Sequence, residues 1–126
     1  TMTKRVLLAE DEPNIVESLT FILERSGFDV SVTTTGREAL EEAQSATPDI
    51  LILDVMLPEM DGYEVLRRLR ADNRTTALPV LMLTAKGQRE DRETAIACGA
   101  DMFITKPFVN SELIAAVQEL AAGEPA

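Results

Sequence analysis

Asp49-Ile50-Leu51-Ile52-Leu53-Asp54 places four branched apolar residues in a row between two aspartates. Nothing polar alternates with them, so a strand here has no wet face. Such a strand suits the interior of a parallel sheet covered on both sides. The chain then leaves through Val55-Met56-Leu57-Pro58-Glu59-Met60-Asp61-Gly62, a loop punctuated by Pro and Gly. In open α/β sheets ligands bind beyond the carboxyl ends of the strands, which is where Asp54 would stand. Taken alone, a strand-terminal aspartate is equally well a turn cap; the rest of the chain breaks the tie.

Outward from that stretch the pattern repeats. Val6-Leu7-Leu8-Ala9 is a short buried run ending in Glu10-Asp11-Glu12-Pro13. Pro13 suits the first turn of a helix, whose apolar face is Ile15, Val16, Leu19, Ile22 and Leu23 until Gly27 stops it. Asp29-Val30-Ser31-Val32-Thr33 alternates, unlike the other strands, and reads as an edge strand. A second helix runs from about Gly36 to Ala46, capped by Thr34 or Thr35, with Ala39, Leu40 and Ala43 inward. Beyond the Asp54 loop, Val65, Leu66 and Leu69 mark a third helix, and Arg67, Arg68 and Arg70 read as its solvated face. Asp61, beside Gly62, suits a helix cap better than a ligand.

Pro79 to Thr84 is another buried strand, ending in a hydroxyl, and residues 85–87 form the next loop. The fourth helix, Arg89 to Cys98, has the weakest apolar face, chiefly Ala95 and Ile96, and is expected to be marginal and mobile. Gly99 caps it. Met102-Phe103-Ile104-Thr105 is the last strand, closed by Lys106-Pro107, and a final helix carries Leu113, Ile114, Val117 and Leu120 after Asn110 or Ser111 as cap. Residues 123–126 read as a frayed end or the start of a linker. Five strands and five helices in strict alternation imply one doubly wound α/β domain with a parallel sheet.

Composition narrows the chemistry. At 126 residues the chain is long enough for a single core, and 45% apolar with 27% charged residues is ordinary for a globular domain. Thr1 before Met2 suggests that natural numbering starts at Met2. No run approaches the ~18 apolar residues of a membrane span and no leader opens the chain, so a cytoplasmic protein is expected. Twenty-two acidic against 12 basic residues give a formal net charge of -10, which argues against direct binding to nucleic acid or anionic membranes. Cys98 is the single cysteine, expected as a buried structural thiol. There is no histidine, which removes most triads, most zinc sites and any histidine base.

What remains is carboxylates, Lys and Thr, and four strand ends deliver them to one edge: Glu10 and Asp11, then Asp54, Thr84 and Lys106. Three carboxylates in one crevice repel one another unless a cation sits among them. Oxygen donors without His or Cys point to Mg²⁺ or Mn²⁺. A lysine and a hydroxyl beside such a metal are the parts that phosphoryl transfer uses.

These residues resemble those of a known family. Glu10-Asp11, Leu53-Asp54-Val55-Met56-Leu57-Pro58 with Met60-Asp61-Gly62, Thr84-Ala85, Gly99-Ala100-Asp101 and Lys106-Pro107-Phe108, in that order, are similar to a CheY-like response regulator receiver domain of two-component signalling. The resemblance covers Lys4 to Leu120 and implies a single receiver domain over 1–126 with the flavodoxin-like strand order 2-1-3-4-5. The half-polar second strand agrees with that order, which puts it at an edge. The resemblance further implies that Asp54 takes a phosphoryl group from a phosphohistidine on a histidine kinase or phosphotransfer protein. Asp11 and Asp54 would ligate Mg²⁺, Met56 would add its backbone carbonyl, and Glu10 would act through metal-bound water. Lys106 would pair with the aspartyl phosphate, Thr84 would swing to it, and Phe103 would follow inward, reshaping the surface of the fourth helix, fifth strand and fifth helix. Lys106-Pro107 is expected to be cis.

Phe103 stands where many relatives carry tyrosine, and Met56 and Lys86 occupy positions that tune phosphoryl lifetime. Ser111 and Ala116 replace arginines that DNA-binding relatives use in dimers, so a monomer or a weak phosphorylation-dependent dimer is expected. The activity implied is that of a regulatory phosphoacceptor that assists its own phosphorylation and dephosphorylation, controlling an unspecified partner or attached output domain. Other classes fit less well. A phosphatase using an aspartate nucleophile wants a second acid where Met56 stands, and a nucleotide module wants a Gly-rich cradle where Glu10-Asp11-Glu12 would repel phosphate. The nearest alternative is a receiver-like interaction module that works without phosphorylation.

Overall fold

The computed structural model describes residues 3–85 and 89–123, without the side chains of residues 89–91. Lys86 and the rest of the 86–88 segment lie outside the described residues, as do the two N-terminal residues and the last three. Elements alternate throughout: β1 (Arg5–Ala9), α1 (Pro13–Arg25), β2 (Asp29–Thr33), α2 (Gly36–Ser45), β3 (Ile50–Asp54), α3 (Gly62–Arg70), β4 (Val80–Thr84), α4 (Arg89–Cys98), β5 (Met102–Thr105) and α5 (Asn110–Ala122). The strands form one parallel sheet in the order β2-β1-β3-β4-β5.

Burial explains why the central strands lack alternation. Leu7, Ala9, Leu51, Leu53, Val80 and Met82 pack on one side against Ala39, Leu40, Ala43, Val65, Leu66, Leu69 and Ala95 of α2, α3 and α4. Val6, Leu8, Ile50, Ile52, Leu81 and Leu83 pack on the other against Leu19, Leu23, Leu113, Ala116 and Val117 of α1 and α5. Successive residues therefore enter two different cores, and both must be apolar. At the edge, β2 has no fully buried residue and Val32 is exposed, as its alternation suggested.

Several local expectations hold. Thr35 caps α2 by accepting from the Glu38 amide at 3.1 Å, and the Glu38 carboxylate accepts in return from the Thr34 amide at 3.2 Å. Asp61 caps α3 through the Glu64 amide at 2.9 Å. The Lys106-Pro107 bond is cis.

Four expectations need correction. Neither Asn110 nor Ser111 caps α5: the helix starts one residue earlier, Val109 stands at the cap position and no side chain serves the first amides. Ile96 is not inward but 60% exposed, leaving Ala95 as the buried contact of α4 among the described residues. Cys98 is only partly buried, its Sγ accepting from Arg67 Nη1 at 3.5 Å. Arg70 does not share the wet face of Arg67 and Arg68. Its guanidinium reaches Leu78 O at 2.7 Å, Gly99 O at 2.8 and 3.0 Å and Asp101 Oδ2 at 3.0 Å, tying the end of α3 to the turn between α4 and β5. The physical reason is reach: a long side chain at the last turn of a helix can fold over the helix end onto free carbonyls.

Candidate functional site

All the apolar strands end at the same edge, so the residues that follow them meet there. Asp54 is the last residue of β3 and 2% exposed. Its Oδ1 faces the Met56 amide at 3.3 Å and its Oδ2 the Lys106 ammonium at 3.2 Å. Glu10 follows β1 and is fully buried; its amide donates to Thr33 O at 3.0 Å and its Oε2 accepts from the Glu12 amide at 3.0 Å. Asp11 next to it is exposed. Ligand atoms of Glu10, Asp11 and Asp54 all lie within 4.8 Å of one another. Two carboxylates thus form the floor of an acidic crevice and the third its solvent side.

Lys106 is placed by the backbone as much as by charge. Its amide donates to Thr84 O at 2.6 Å, continuing the pairing of β4 with β5, and its Nζ lies 2.9 Å from Glu10 Oε1. That last contact is a charge contact, because Glu10 Oε1 lacks an aligned hydrogen bond. Burial raises the Glu10 pKa, and this outweighs the lowering by Lys106 and by the Glu12 amide. For Lys106 burial works against the charge, but contact with Glu10 and the charges of Asp54 and Glu10 prevail and hold its pKa above the ordinary lysine value.

The crevice suits a divalent cation. Among the described residues a single ammonium faces three carboxylates, one buried oxygen has no aligned donor, and every donor is a hard oxygen, the set that Mg²⁺ and Mn²⁺ prefer. Glu10, Asp11 and Asp54 are the residues that would hold it.

Thr84 is 4% exposed at the end of β4, in register with Thr105 of β5. Phe103 pairs in register with Met82 and packs, half-buried, against the α2/α3/α4 core. Met56 is 70% exposed, directing its side chain to solvent while its amide stays with Asp54. Lys86 lies outside the described residues. Sequence reasoning brought Glu10, Asp11, Asp54, Thr84 and Lys106 to this edge, and the structure gathers them there. It missed the direct Lys106–Glu10 contact, for which no local signal exists. It also missed two glycines that press on the loop after Asp54. A Cβ on Gly62 would strike the Asp54 carbonyl and lie 2.9 Å from Val55 Cα, and one on Gly36 would strike the Met60 backbone.

A doubly wound, flavodoxin-like sheet in the order 2-1-3-4-5, with an acidic, lysine-bearing crevice beyond its carboxyl edge, defines the class of CheY-like α/β domains. The response regulator receiver domain matches residues 6–118, and the chain belongs to that family of two-component signalling. PhoP of Bacillus subtilis, the alkaline phosphatase synthesis transcriptional regulatory protein, is 44% identical over 119 residues, covering 94% of this chain and 49% of PhoP. The chain therefore spans about half the length of the curated relatives it matches. Among solved structures, the chemotaxis response regulator CheY4 of Vibrio cholerae superposes with a TM-score of 0.89 at 32% identity, over 94% of this chain and 99% of that one. The receiver domain of sensor histidine kinase PA1611 from Pseudomonas aeruginosa superposes with a TM-score of 0.89 at 29% identity, over 97% and 100% of the two chains; it holds a magnesium ion in its active site cleft. Among the described residues no helix is long and apolar enough to cross a membrane.

Proposed function

We propose that this receiver domain is a Mg²⁺-dependent phosphoacceptor whose Asp54 takes a phosphoryl group from a phosphohistidine on a histidine kinase or phosphotransfer protein. The observation that carries this is the Asp54 carboxylate itself, nearly buried at a strand end, with a lysine ammonium at 3.2 Å and two further carboxylates within 4.8 Å. An Asp54 oxygen attacks phosphorus, the P–N bond to the donor imidazole breaks, and the imidazole leaves with the bonding pair. The divalent cation, when bound, neutralises charge on the transferring group. Asp11 and Asp54 would hold it, with the Met56 carbonyl as a further donor and Glu10 acting through metal-bound water. Lys106, already against Asp54, pairs with the phosphoryl oxygens, and the Thr84 hydroxyl donates to another.

Phosphorylation replaces one negative charge by about -1.5 to -2 and adds strong acceptors. The response is a rearrangement of Thr84 and Phe103 that remodels the α4–β5–α5 face and so controls a partner or an attached output domain. Met56 and Lys86 tune how long the phosphoryl group survives. The domain acts as a regulatory phosphoacceptor that assists its own phosphorylation and dephosphorylation, in the cytoplasm, as a monomer or weak phosphorylation-dependent dimer.

The test is intact mass after incubation with Mg²⁺ and acetyl phosphate, for wild type and Asp54→Asn. One phosphoryl adduct in wild type, lost in the variant and lost with EDTA, is expected. If Mg²⁺ binds and neither adduct nor phosphate release is seen, the chain is an interaction module that works without phosphorylation.

A further inference from the structure

We infer that Gly36, the first residue of α2, is a positioning residue for the metal and phosphoacceptor site, acting through the loop that follows Asp54. The inference rests on the reading above that the crevice takes Mg²⁺. Gly36 lies outside the crevice. Its amide donates to Pro58 O at 3.1 Å, and an added Cβ would collide with the Met60 carbonyl oxygen and approach Met60 C to 2.6 Å and Met60 Cβ to 2.9 Å. Position 36 is thus the seat on which residues 58–60 rest, and only a residue without a side chain leaves room for them.

The seated loop is held in a shape it would not choose alone. Glu59 has a φ of 71°, a left-handed backbone that a non-glycine residue rarely adopts. On either side of it the Met60 amide turns back to Pro58 O at 2.8 Å, and the Gly62 amide closes the loop onto Val55 O at 2.8 Å. Retreat toward the core is blocked, since Val55 and Leu57 are buried and Met60 already packs against that core. A side chain at position 36 must therefore push the loop as a unit. Its near end is Met56, whose amide faces the Asp54 carboxylate at 3.3 Å. A shift there turns the phosphoacceptor carboxylate and the Met56 carbonyl together, as the loss of an outer partner disturbs a metal ligand.

Titration calorimetry with MgCl₂ tests this on wild type, Gly36→Ala and Gly27→Ala. Gly27 is a control: it has a positive φ of 96° and nothing within 4 Å of an added Cβ, so it carries backbone strain without touching the loop. The expected result is Mg²⁺ affinity weakened by about tenfold or more in Gly36→Ala and unchanged in Gly27→Ala. Equal affinity in wild type and folded Gly36→Ala overturns the inference while leaving the metal reading intact. Wild type that takes up no Mg²⁺ overturns the metal reading and the inference with it.

Should Gly36→Ala fail to fold, amide exchange on the wild type decides. If opening the Gly36–Pro58 contact abolishes the site, Mg²⁺ at ten times its dissociation constant slows exchange of the Gly36 amide by up to about 11-fold. The Ala46 amide, bonded to Glu42 O at the other end of α2, keeps its rate. A Gly36 amide indifferent to saturating Mg²⁺ overturns the inference.

Discussion

Replacing Arg70 by alanine removes the donors that reach two backbone carbonyls at short range. Leu78 O accepts at 2.7 Å and Gly99 O at 2.8 and 3.0 Å, whereas Thr76 O and Thr75 O sit farther off at 3.2 and 3.3 Å. The Asp101 carboxylate is 45% exposed and water replaces most of what it loses. Charge-assisted bonds to the two near carbonyls contribute about 1.5–3 kcal/mol each. The Arg70 side chain is 20% exposed, so some water reaches the gap, and the sum is discounted to about 3 kcal/mol. Arg70→Lys supplies one point charge in place of a planar fork and is expected to recover about half of that. Arg68→Ala is the internal control: the same residue type, two positions earlier, paired with Glu64 at 2.8 Å and 54% exposed, is expected to change stability by less than about 0.5 kcal/mol. Urea unfolding of the three variants at constant m-value makes the comparison. A loss below about 1 kcal/mol in Arg70→Ala, indistinguishable from Arg68→Ala, would refute the clamp.

Two further outcomes follow from the same geometry. Lys106→Met leaves Glu10 beside Asp54 without a cation; Glu10 already sits above its ordinary value of 4.5 because of burial, so the folded variant binds its proton more tightly than the unfolded chain does. Stability then falls as pH rises above that value. In EDTA the variant should be ~2 kcal/mol weaker than wild type near neutrality, with the gap closing on acidification toward pH 5, and parallel pH profiles would contradict the charge assignment. Gly99→Ala and Gly27→Ala both force alanine to a positive φ, at 103° and 96°, for about 1 kcal/mol each. A Cβ at position 99 would also lie 3.0 Å from Arg70 Cγ and Nε, so Gly99→Ala is expected to cost about 1 kcal/mol more and to be non-additive with Arg70→Ala in a double-mutant cycle.

Much of the site was readable because its residues are adjacent in the chain to the elements that carry them. An apolar run followed by a carboxylate, hydroxyl or ammonium is a local pattern, and one parallel sheet brings all such patterns to one edge. Thr35 and Asp61 were readable for the same reason, since a cap acts on an amide three residues away. The cap of α5 differs because the polar pair Asn110-Ser111 imitates a start signal, whereas the helix already begins at Asn110 with Val109 at the cap position.

By itself the sequence determined the element order, the two-faced burial of β1, β3 and β4, the edge position of β2 and the cluster of Glu10, Asp11, Asp54, Thr84 and Lys106. Tertiary structure alone decided the rest. It turned Arg70 inward onto Gly99, set Lys106 against Glu10, exposed Ile96, and laid Met60 on Gly36. The three contacts among these join segments far apart in the chain, and the exposure of Ile96 follows from what does not cover it. Periodicity records which face of an element is covered, but not which distant atom covers it. That is settled only when long side chains and bare glycines meet across packed elements.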